Sequence, residues 1–445
     1  MSALSRLLAH GEERPVLVAA SLVALFSLLQ WPFVDWYLRA TGVVEPIRFY
    51  DMGVYLGALE NWHAGAPIYQ QNENGGYFGE FLYPPLVLLM FDLFDEMGQT
   101  TRWAWELFSL SLLWVGLQLV IRGYGLALRG WERGVLLWAL VGFHPLWFSF
   151  KHGQVSIFLG GVLALALAAL QRGESRPAGP SPSDRTDPPD GGDPSDEHDL
   201  SEGWAFRVAS GTATTVAAAA KLTYMTAGVH LLVDRDRLLG AFAAGGLLAG
   251  VSLLVFGVDT HLRYLDVLRW GIASGNDPQS PHLMSAAYYQ PLYALRDVAT
   301  AIRVLGVVAV AGLALAAGAG DADTQTFVLG VTAMPLLAPQ QYTYTFAALL
   351  PAIVALLAIE WRRDVGRPIV PVVALVLLHV HAMALRLFVD RLWVRFEFVS
   401  ALQPVVGLLQ PGLWGNLLLV GLATVRVAEH ASPPAWLSRK LSHLR

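Results

Sequence analysis

Three charged residues stand where a hydrophobic chain can least hold them. Asp51 lies in the stretch FYDMGVYLGALENWHAGAPIYQ (Phe49–Gln70), just beyond a first apolar segment. Lys221 closes the run TTVAAAAK, and Lys151 sits in FKHGQ between two further apolar segments. A charge in or at the mouth of a bilayer costs about 2.5–3.5 kcal/mol on insertion scales, so each is a candidate for function. A lysine is a compact point charge suited to an anionic group, most simply a phosphate. Plainer roles are open for all three. Either lysine can snorkel to headgroups, and Asp51 can cap a helix running to Asn61. As the acid at that helix's N-terminus it would be favoured in its ionised form by the dipole.

A second group of polar residues falls between two apolar segments, in GVDTHLRYLDVLRWGIASGNDPQSPHLMSAAYYQ (Gly257–Gln290). His261, Arg263, Arg269, Asn276, Asp277, Gln279, Ser280 and His282 suit phosphate and sugar recognition there, or make an ordinary wet loop. Metal-ligand spacings such as HExxH are absent. DAD at Asp321–Asp323 and DRD at Asp234–Asp236 fall on the opposite side of the membrane, so no essential metal is expected. There is no Walker loop, dinucleotide fingerprint or nucleophile elbow, and no cofactor is expected. The chain has no cysteine, which removes disulfides, thiolate metal sites and cysteine nucleophiles.

The elements that must position these residues are membrane helices. Of 445 residues, 55% are hydrophobic and 15% charged, against roughly 25% charged in ordinary soluble domains. Apolar runs near the length needed to cross about 30 Å of hydrocarbon recur at 15–38, 101–122, 132–150, 154–171, 205–220, 238–257, 299–318, 342–360, 368–389 and 403–425. Two shorter ones, 222–233 and 325–337, read as halves of longer or broken helices. The fold class expected is all-α: a polytopic helical membrane protein with about 12 spanning helices and interfacial helices in its first outer loop. The N-terminal MSALSRLLAHGEERP is too polar for a cleavable signal peptide, so the first apolar segment is expected to stay as an anchor.

The net charge of −5 is concentrated in Arg172–Gly203, which carries nine acids and three arginines. Rich in proline and glycine and poor in large apolar residues, this stretch reads as a disordered cytoplasmic linker. It divides a first membrane half (1–171, with the outer loop 39–100) from a second (204–445, with the outer loop 257–290). Lysine is scarce beside arginine, and acid-rich loops with arginine in its place resemble the usage of halophilic archaea. The positive-inside rule puts both termini in the cytoplasm, provided that Tyr83–Met97 does not span. The outer face then holds 39–100, Phe150–Ser156, Gly257–Gln290 and Ala338–Thr345.

Four motifs carry a resemblance. YDMGVYLGALENWHAGAPIY, then FLYPPL (Phe81–Leu86), then HGQVSIFLGGVLALAL (His152–Leu167), then AAAAKLT (Ala217–Thr223) resemble, in order and spacing, glycosyltransferase family 87, the polyprenyl-phosphate-mannose-dependent α-mannosyltransferases. The resemblance implies a C-type glycosyltransferase fold in the cell membrane with its site at the outer face. It implies Asp51 as general base, Lys221 at the donor phosphate, and Gly153 and Gln154 as the motif's Gly-Gln pair. Lys151, Arg263 and Arg269 are further candidates for the phosphate. Tyr55, Tyr83, His152, Gln154, His261, Gln279, Gln341 and Tyr344 are candidates for the substrates. Aromatic residues near the acid (Tyr50, Tyr55, Trp62, Tyr69) suit stacking on sugar faces or an interfacial belt. One departure stands out: where relatives have Ser-Pro-x-x-Trp and histidines, this chain has APQQYTYT. The implied partners are a polyprenyl-phosphate sugar and a lipid- or protein-linked glycan, with inversion at the sugar carbon. The alternative from the residues alone is a secondary transporter or flippase using Asp51 and Lys221 as coupling charges, which the absence of an internal repeat weakens.

Overall fold

A computed structural model describes residues 49–77, 79–174, 194–276, 288–320, 322–339, 341–392 and 408–431, together with Arg14, Val18, Ala20, Ser21 and Val23. Most of the expected first span (15–38), Asp277, Gln279, Ser280, His282 and most of the acidic stretch lie outside these residues. The described chain is helical. Its extended pairing among the described residues is β1 (Tyr288–Tyr289) against β2 (Gln341–Tyr342), antiparallel.

The region before the first described long helix holds two short helices, α1 (Tyr50–His63) and α2 (Val87–Asp95). At nine residues, α2 is about 14 Å long and cannot cross a bilayer. The ambiguous run Tyr83–Met97 is therefore not a span. The remaining helices follow: α3 (Thr101–Gly123), α4 (Gly130–Gly142), α5 (His144–His152), α6 (Ser156–Glu174), α7 (Pro194–Ala220), α8 (Arg235–Asn276), α9 (Ala299–Ala317), α10 (Asp323–Leu337), α11 (Leu350–Trp361), α12 (Ile369–Leu392) and α13 (Pro411–Ala428). Among the described residues six helical stretches are long and apolar enough to cross a membrane, or up to seven if the bent pair α4–α5 is one span. The expected twelve do not all fall within the described residues, which leave out most of 15–38, and several of the others are broken. Helix α7 gives way to a 3₁₀ segment (Leu222–Val233), and α4 and α5 meet at 60°. Pro145, at the start of α5, has no N–H to continue the ladder of α4.

The core centres on α6, nearly all of it buried, packed on α3 and α7. Without a hydrophobic drive between helices in lipid, close backbone packing through small residues holds such contacts. A Cβ added at Gly116 of α3 would lie 2.6 Å from the Ala164 Cβ, and one at Gly161 would lie 2.8 Å from the Leu113 nitrogen.

Two expectations about loops change. The stretch from Gly257 is not a loop at its start: α8 kinks at Gly257 (φ 74°, ψ 167°) and runs on to Asn276. Its second half has a helical repeat, with Tyr264 and Val267 buried and Leu268 half-buried, while Arg263, Asp266 and Arg269 are exposed. The acidic stretch also ends earlier than its composition suggests, since α7 begins at Pro194. Proline at a helix start followed by Asp196, Glu197 and Asp199 is a favourable opening turn.

Candidate active site

Helices α1 and α5 meet where the backbone of each is unusual. Phe49, just before α1, is the one non-glycine residue with positive φ among the described residues (45°). Its N–H donates to the Lys151 carbonyl (3.1 Å), and its ring packs edge-on against Trp103 at 5.1 Å. Helix α5 ends in a left-handed turn at Gly153 (φ 72°), the conformation glycine adopts at little cost. A Cβ there would come within 2.6 Å of the Met52 Cβ. The glycine of HGQ thus lets the end of α5 touch the start of α1 and sets Gln154 beside Asp51.

Asp51 is not a helix cap. It lies inside α1, the cap position belongs to Phe49, and no side chain caps the helix. Its carboxylate instead accepts a hydrogen bond from Gln154 Nε2. The other end of that amide, Oε1, accepts from the hydroxyls of Tyr55 (3.2 Å) and Tyr83 (2.9 Å). His152 Nδ1 stands 3.9 Å from the Asp51 carboxylate. Burial pushes the Asp51 carboxyl above its ordinary value, against the opposing pull of Gln154, His152 and Lys221. The helix dipole therefore does not dominate its ionisation: removal from water does.

Asp51 opens onto a cavity of about 370 Å³, within the range of small-ligand sites. Lys221 lines it from the break between α7 and the 3₁₀ segment. Its ammonium lies 5.5 Å from the ring centres of both Tyr83 and Tyr344. Burial lowers its pKa to about 8, with Asp51 opposing. Tyr344 and Tyr342 are stacked in parallel, 5.1 Å apart, and fill the wall where histidines were expected. The cavity has an acid on one side, a cation on the other and aromatic rings between, so it can take a proton from one group while neutralising an anion on another.

The structure brings Asp51, Tyr55, Tyr83, His152, Gln154, Lys221 and Tyr344 to this cavity. It does not bring the others. Lys151 supplies its carbonyl to Phe49 and does not line the cavity. Arg263 is exposed on α8, and Arg269, 77% exposed, pairs with Asp266 at 3.0 Å. His261 bridges the kink of α8, bonded to Ser252 (2.9 Å) and the Gly257 carbonyl (2.7 Å). Gln341 is buried on β2 with its amide unsatisfied. Of the aromatics near the acid, Tyr50 reaches the cavity, whereas Trp62 packs on Phe256 and Tyr69 on Tyr264. Sequence reasoning missed Glu80, Phe148, Tyr264 and Leu268, which also line the cavity. The spacing of Tyr264 and Leu268, one helical turn apart, is the signal that could have found the last two.

One other group of metal-capable side chains occurs among the described residues, His63 with Asp92 and Asp95. His63 Nε2 faces Asp92 (3.0 Å) and Nδ1 faces Asp95 (3.8 Å). Each ring nitrogen meets a different acid, so the imidazole ties α1 to α2.

Residues 81–339 match the family model of glycosyltransferase family 87. The chain belongs to that family. The matched span covers more than half of the chain and includes Tyr83, Gln154 and Lys221; Asp51 lies upstream of it and Tyr344 beyond it. With its apolar helices, the chain is a multi-pass membrane glycosyltransferase. Membership decides between the transferase and transporter readings. A solved structure that aligns with it is the crystal structure of ArnT from Cupriavidus metallidurans in the apo state. The two are 16% identical over 85% of this chain and 72% of that one, with a TM-score of 0.35, a similarity too low to argue from. No curated protein matches the chain.

Proposed function

We propose that the chain moves a sugar, with mannose the expected one, from a polyprenyl-phosphate donor to a lipid- or protein-linked glycan at the extracytoplasmic face of the cell membrane. The observation that carries this reading is the juxtaposition of Asp51 and Lys221 on one aromatic-lined cavity. Asp51 takes the proton of an acceptor hydroxyl as the hydroxyl oxygen bonds to the sugar's anomeric carbon. The bond from that carbon to the phosphate oxygen breaks from the opposite side, so configuration inverts. The electron pair leaves with the lipid phosphate, whose charge Lys221 meets. A donor dissolved in the bilayer needs no nucleotide-binding motif, in keeping with the sequence. Rings such as Tyr50, Tyr83 and Tyr344 offer faces for sugars. The raised Asp51 carboxyl holds a proton more strongly than an ordinary aspartate and is a stronger base for it.

The test supplies radiolabelled polyprenyl-phosphate mannose to membranes containing the chain and follows label into glycan, by the wild-type chain and by Asp51→Asn. Transfer by the first and not the second supports the reading. Transfer from a nucleotide sugar alone, or equal transfer by both, overturns it.

A further inference from the structure

The aromatic residues nearest the acid do not all have a face to offer a sugar. Tyr55 is 2% exposed. Its ring stacks on Phe91 at 4.8 Å and meets Tyr83 edge-on at 5.3 Å, and its hydroxyl points at Gln154. Tyr83 points its hydroxyl at the same atom, and its own backbone is held by Tyr69, whose hydroxyl donates to the Tyr83 carbonyl at 2.7 Å.

Which end of a glutamine amide faces which neighbour follows from the hydrogen-bond network around it. Here the contacts to Asp51 and to the two phenols, which also reach each other, favour one solution. An ionised Asp51 can only accept, so it needs the NH₂ end of Gln154. Oε1 then turns to the two phenols, each of which donates to it. Burial raises both phenols far above their ordinary value, so neither loses the proton it donates. The amide is also anchored through its backbone. Gln154 N–H donates to the Ser149 carbonyl (3.0 Å), and the residue is 4% exposed.

We propose that Tyr55 and Tyr83 are positioning residues that act through Gln154: both donate to Oε1, fix the amide, and so hold one N–H on Asp51. This rests on the reading of Asp51 as the base, and it replaces a sugar-stacking role for Tyr55 with an orienting one. Its consequence is specific. Either phenol alone can hold Oε1, so losing one hydroxyl leaves the amide in place. With both lost, only the bond to Asp51 itself opposes the amide turning its oxygen toward the carboxyl, an arrangement that favours the protonated acid. The effect of the two losses is therefore more than additive. The other ionisable groups facing Asp51 are His152 on α5, Lys221 at the end of α7, and the phenol of Tyr344.

The experiment reads Asp51 directly. Infrared difference spectra of the purified full chain, taken as a function of pH, contain a carboxyl band identified by its loss in Asp51→Asn. In Gln154→Met the titration midpoint of that band is expected to rise by about one pH unit or more, since a hydrogen bond to the charged form is lost. Tyr55→Phe and Tyr83→Phe should each move it little, and the double variant should move it as far as Gln154→Met. An unmoved midpoint in Gln154→Met overturns the proposal, as does a double variant equal to the sum of its parts. If Gln154→Met fails to accumulate, the tyrosine pair, which removes only two oxygen atoms, decides alone. Failure of the underlying reading looks different: Asp51→Asn then keeps its transferase activity while the band still shifts.

Discussion

Two carboxylates in this protein, one buried and one half-buried, are held in opposite ways. Glu360, near the end of α11, is fully covered and its charge is cancelled. Arg426 of α13 grips it with two nitrogens, at 2.5 and 2.7 Å, and the Arg367 backbone N–H donates at 2.7 Å. Asp51 has no such partner. A neutral amide donates to it, an imidazole stands 3.9 Å away, and a lysine faces it across the cavity. A carboxylate matched by a bidentate guanidinium has no capacity left for chemistry. One held by an amide keeps its orientation while its charge stays available. How such an acid is paired thus separates a joint in the scaffold from a group poised to react.

Exchanging each acid for its amide breaks that comparison if it is wrong. Asp51→Asn should accumulate in the membrane at near wild-type levels while sugar transfer falls by roughly a hundredfold or more, the size of general-base catalysis. Glu360→Gln should do the reverse: it leaves the buried Arg426 dependent on the more exposed Glu429 for its counter-charge, a loss below the about 3–5 kcal/mol of a fully broken buried pair, and lowers accumulation with little change in activity per folded molecule. Quantifying both variants by immunoblot and by transfer separates the outcomes. A well-folded Asp51→Asn variant with more than about a tenth of wild-type transfer removes Asp51 from the mechanism.

Lys221 sharpens the picture from the other wall. Its pKa of about 8 means that the ammonium is present below that pH and lost above it. The raised Asp51 carboxyl works in the other sense, since it must lose its proton before it can act as base. The profile of kcat/KM for the donor should therefore fall on the alkaline side near pH 8, and on the acid side above the ordinary aspartate range. Lys221→Ala should raise the KM for the donor more than that for the acceptor. Lys221→Arg keeps its charge at every working pH, so partial activity with the alkaline fall displaced upward is expected. An unchanged alkaline limb in Lys221→Arg assigns that limb to another group.

Two glycines with nearly the same backbone separate strain from contact. Gly65 and Gly153 have φ of 71° and 72°, but a side chain at Gly65 meets nothing within 4 Å, whereas one at Gly153 meets Met52. Gly65→Ala should cost about 1–2 kcal/mol of stability by conformation alone and leave transfer per molecule intact. Gly153→Ala carries the same strain and also pushes α5 from α1, parting Gln154 from Asp51. A tenfold or greater loss of transfer is expected. Equal activity in the two variants would show that the approach of these helices is not what sets the acid.

Much of this was legible in the sequence, for physical reasons that also mark where legibility ended. Long apolar runs announce membrane helices because nothing else satisfies the backbone in lipid, and the expected positions of α3, α6 and α9 agree with the structure to within a few residues, whereas the expected span 342–360 opens as a 3₁₀ segment and becomes α11 only at Leu350. The motifs around Asp51, His152–Gln154 and Lys221 pointed to residues that the fold does bring together. What the sequence did not disclose was orientation. Arg263 and Arg269 have the right chemistry for a phosphate, but α8 continues past Gly257 and turns them outward while Tyr264 and Leu268 face the cavity. Lys151 is three residues from Gln154, yet the turn at Gly153 gives the cavity to one and not the other. Asp51 looked like a cap because the left-handed backbone of Phe49, which moves the helix start, leaves no trace in composition.

The smallest expected effect tests that difference between having the chemistry and having the place. Arg269 is paired with Asp266 within one turn of α8 and is mostly exposed, and such surface pairs contribute about 0–1 kcal/mol. Arg263 is exposed on the same helix. Arg263→Ala and Arg269→Ala should therefore leave accumulation unchanged and alter the donor KM by less than about twofold, whereas Lys221→Ala raises it strongly. Salt discriminates further. A distant positive surface steers an anionic donor through screened attraction, so any residual effect of the arginines should vanish as salt is raised, while the loss in Lys221→Ala should persist. A tenfold, salt-independent rise in donor KM for Arg269→Ala would mean that the phosphate binds outside the cavity, on the outer face of α8, and that Asp51 and Lys221 do not share one substrate.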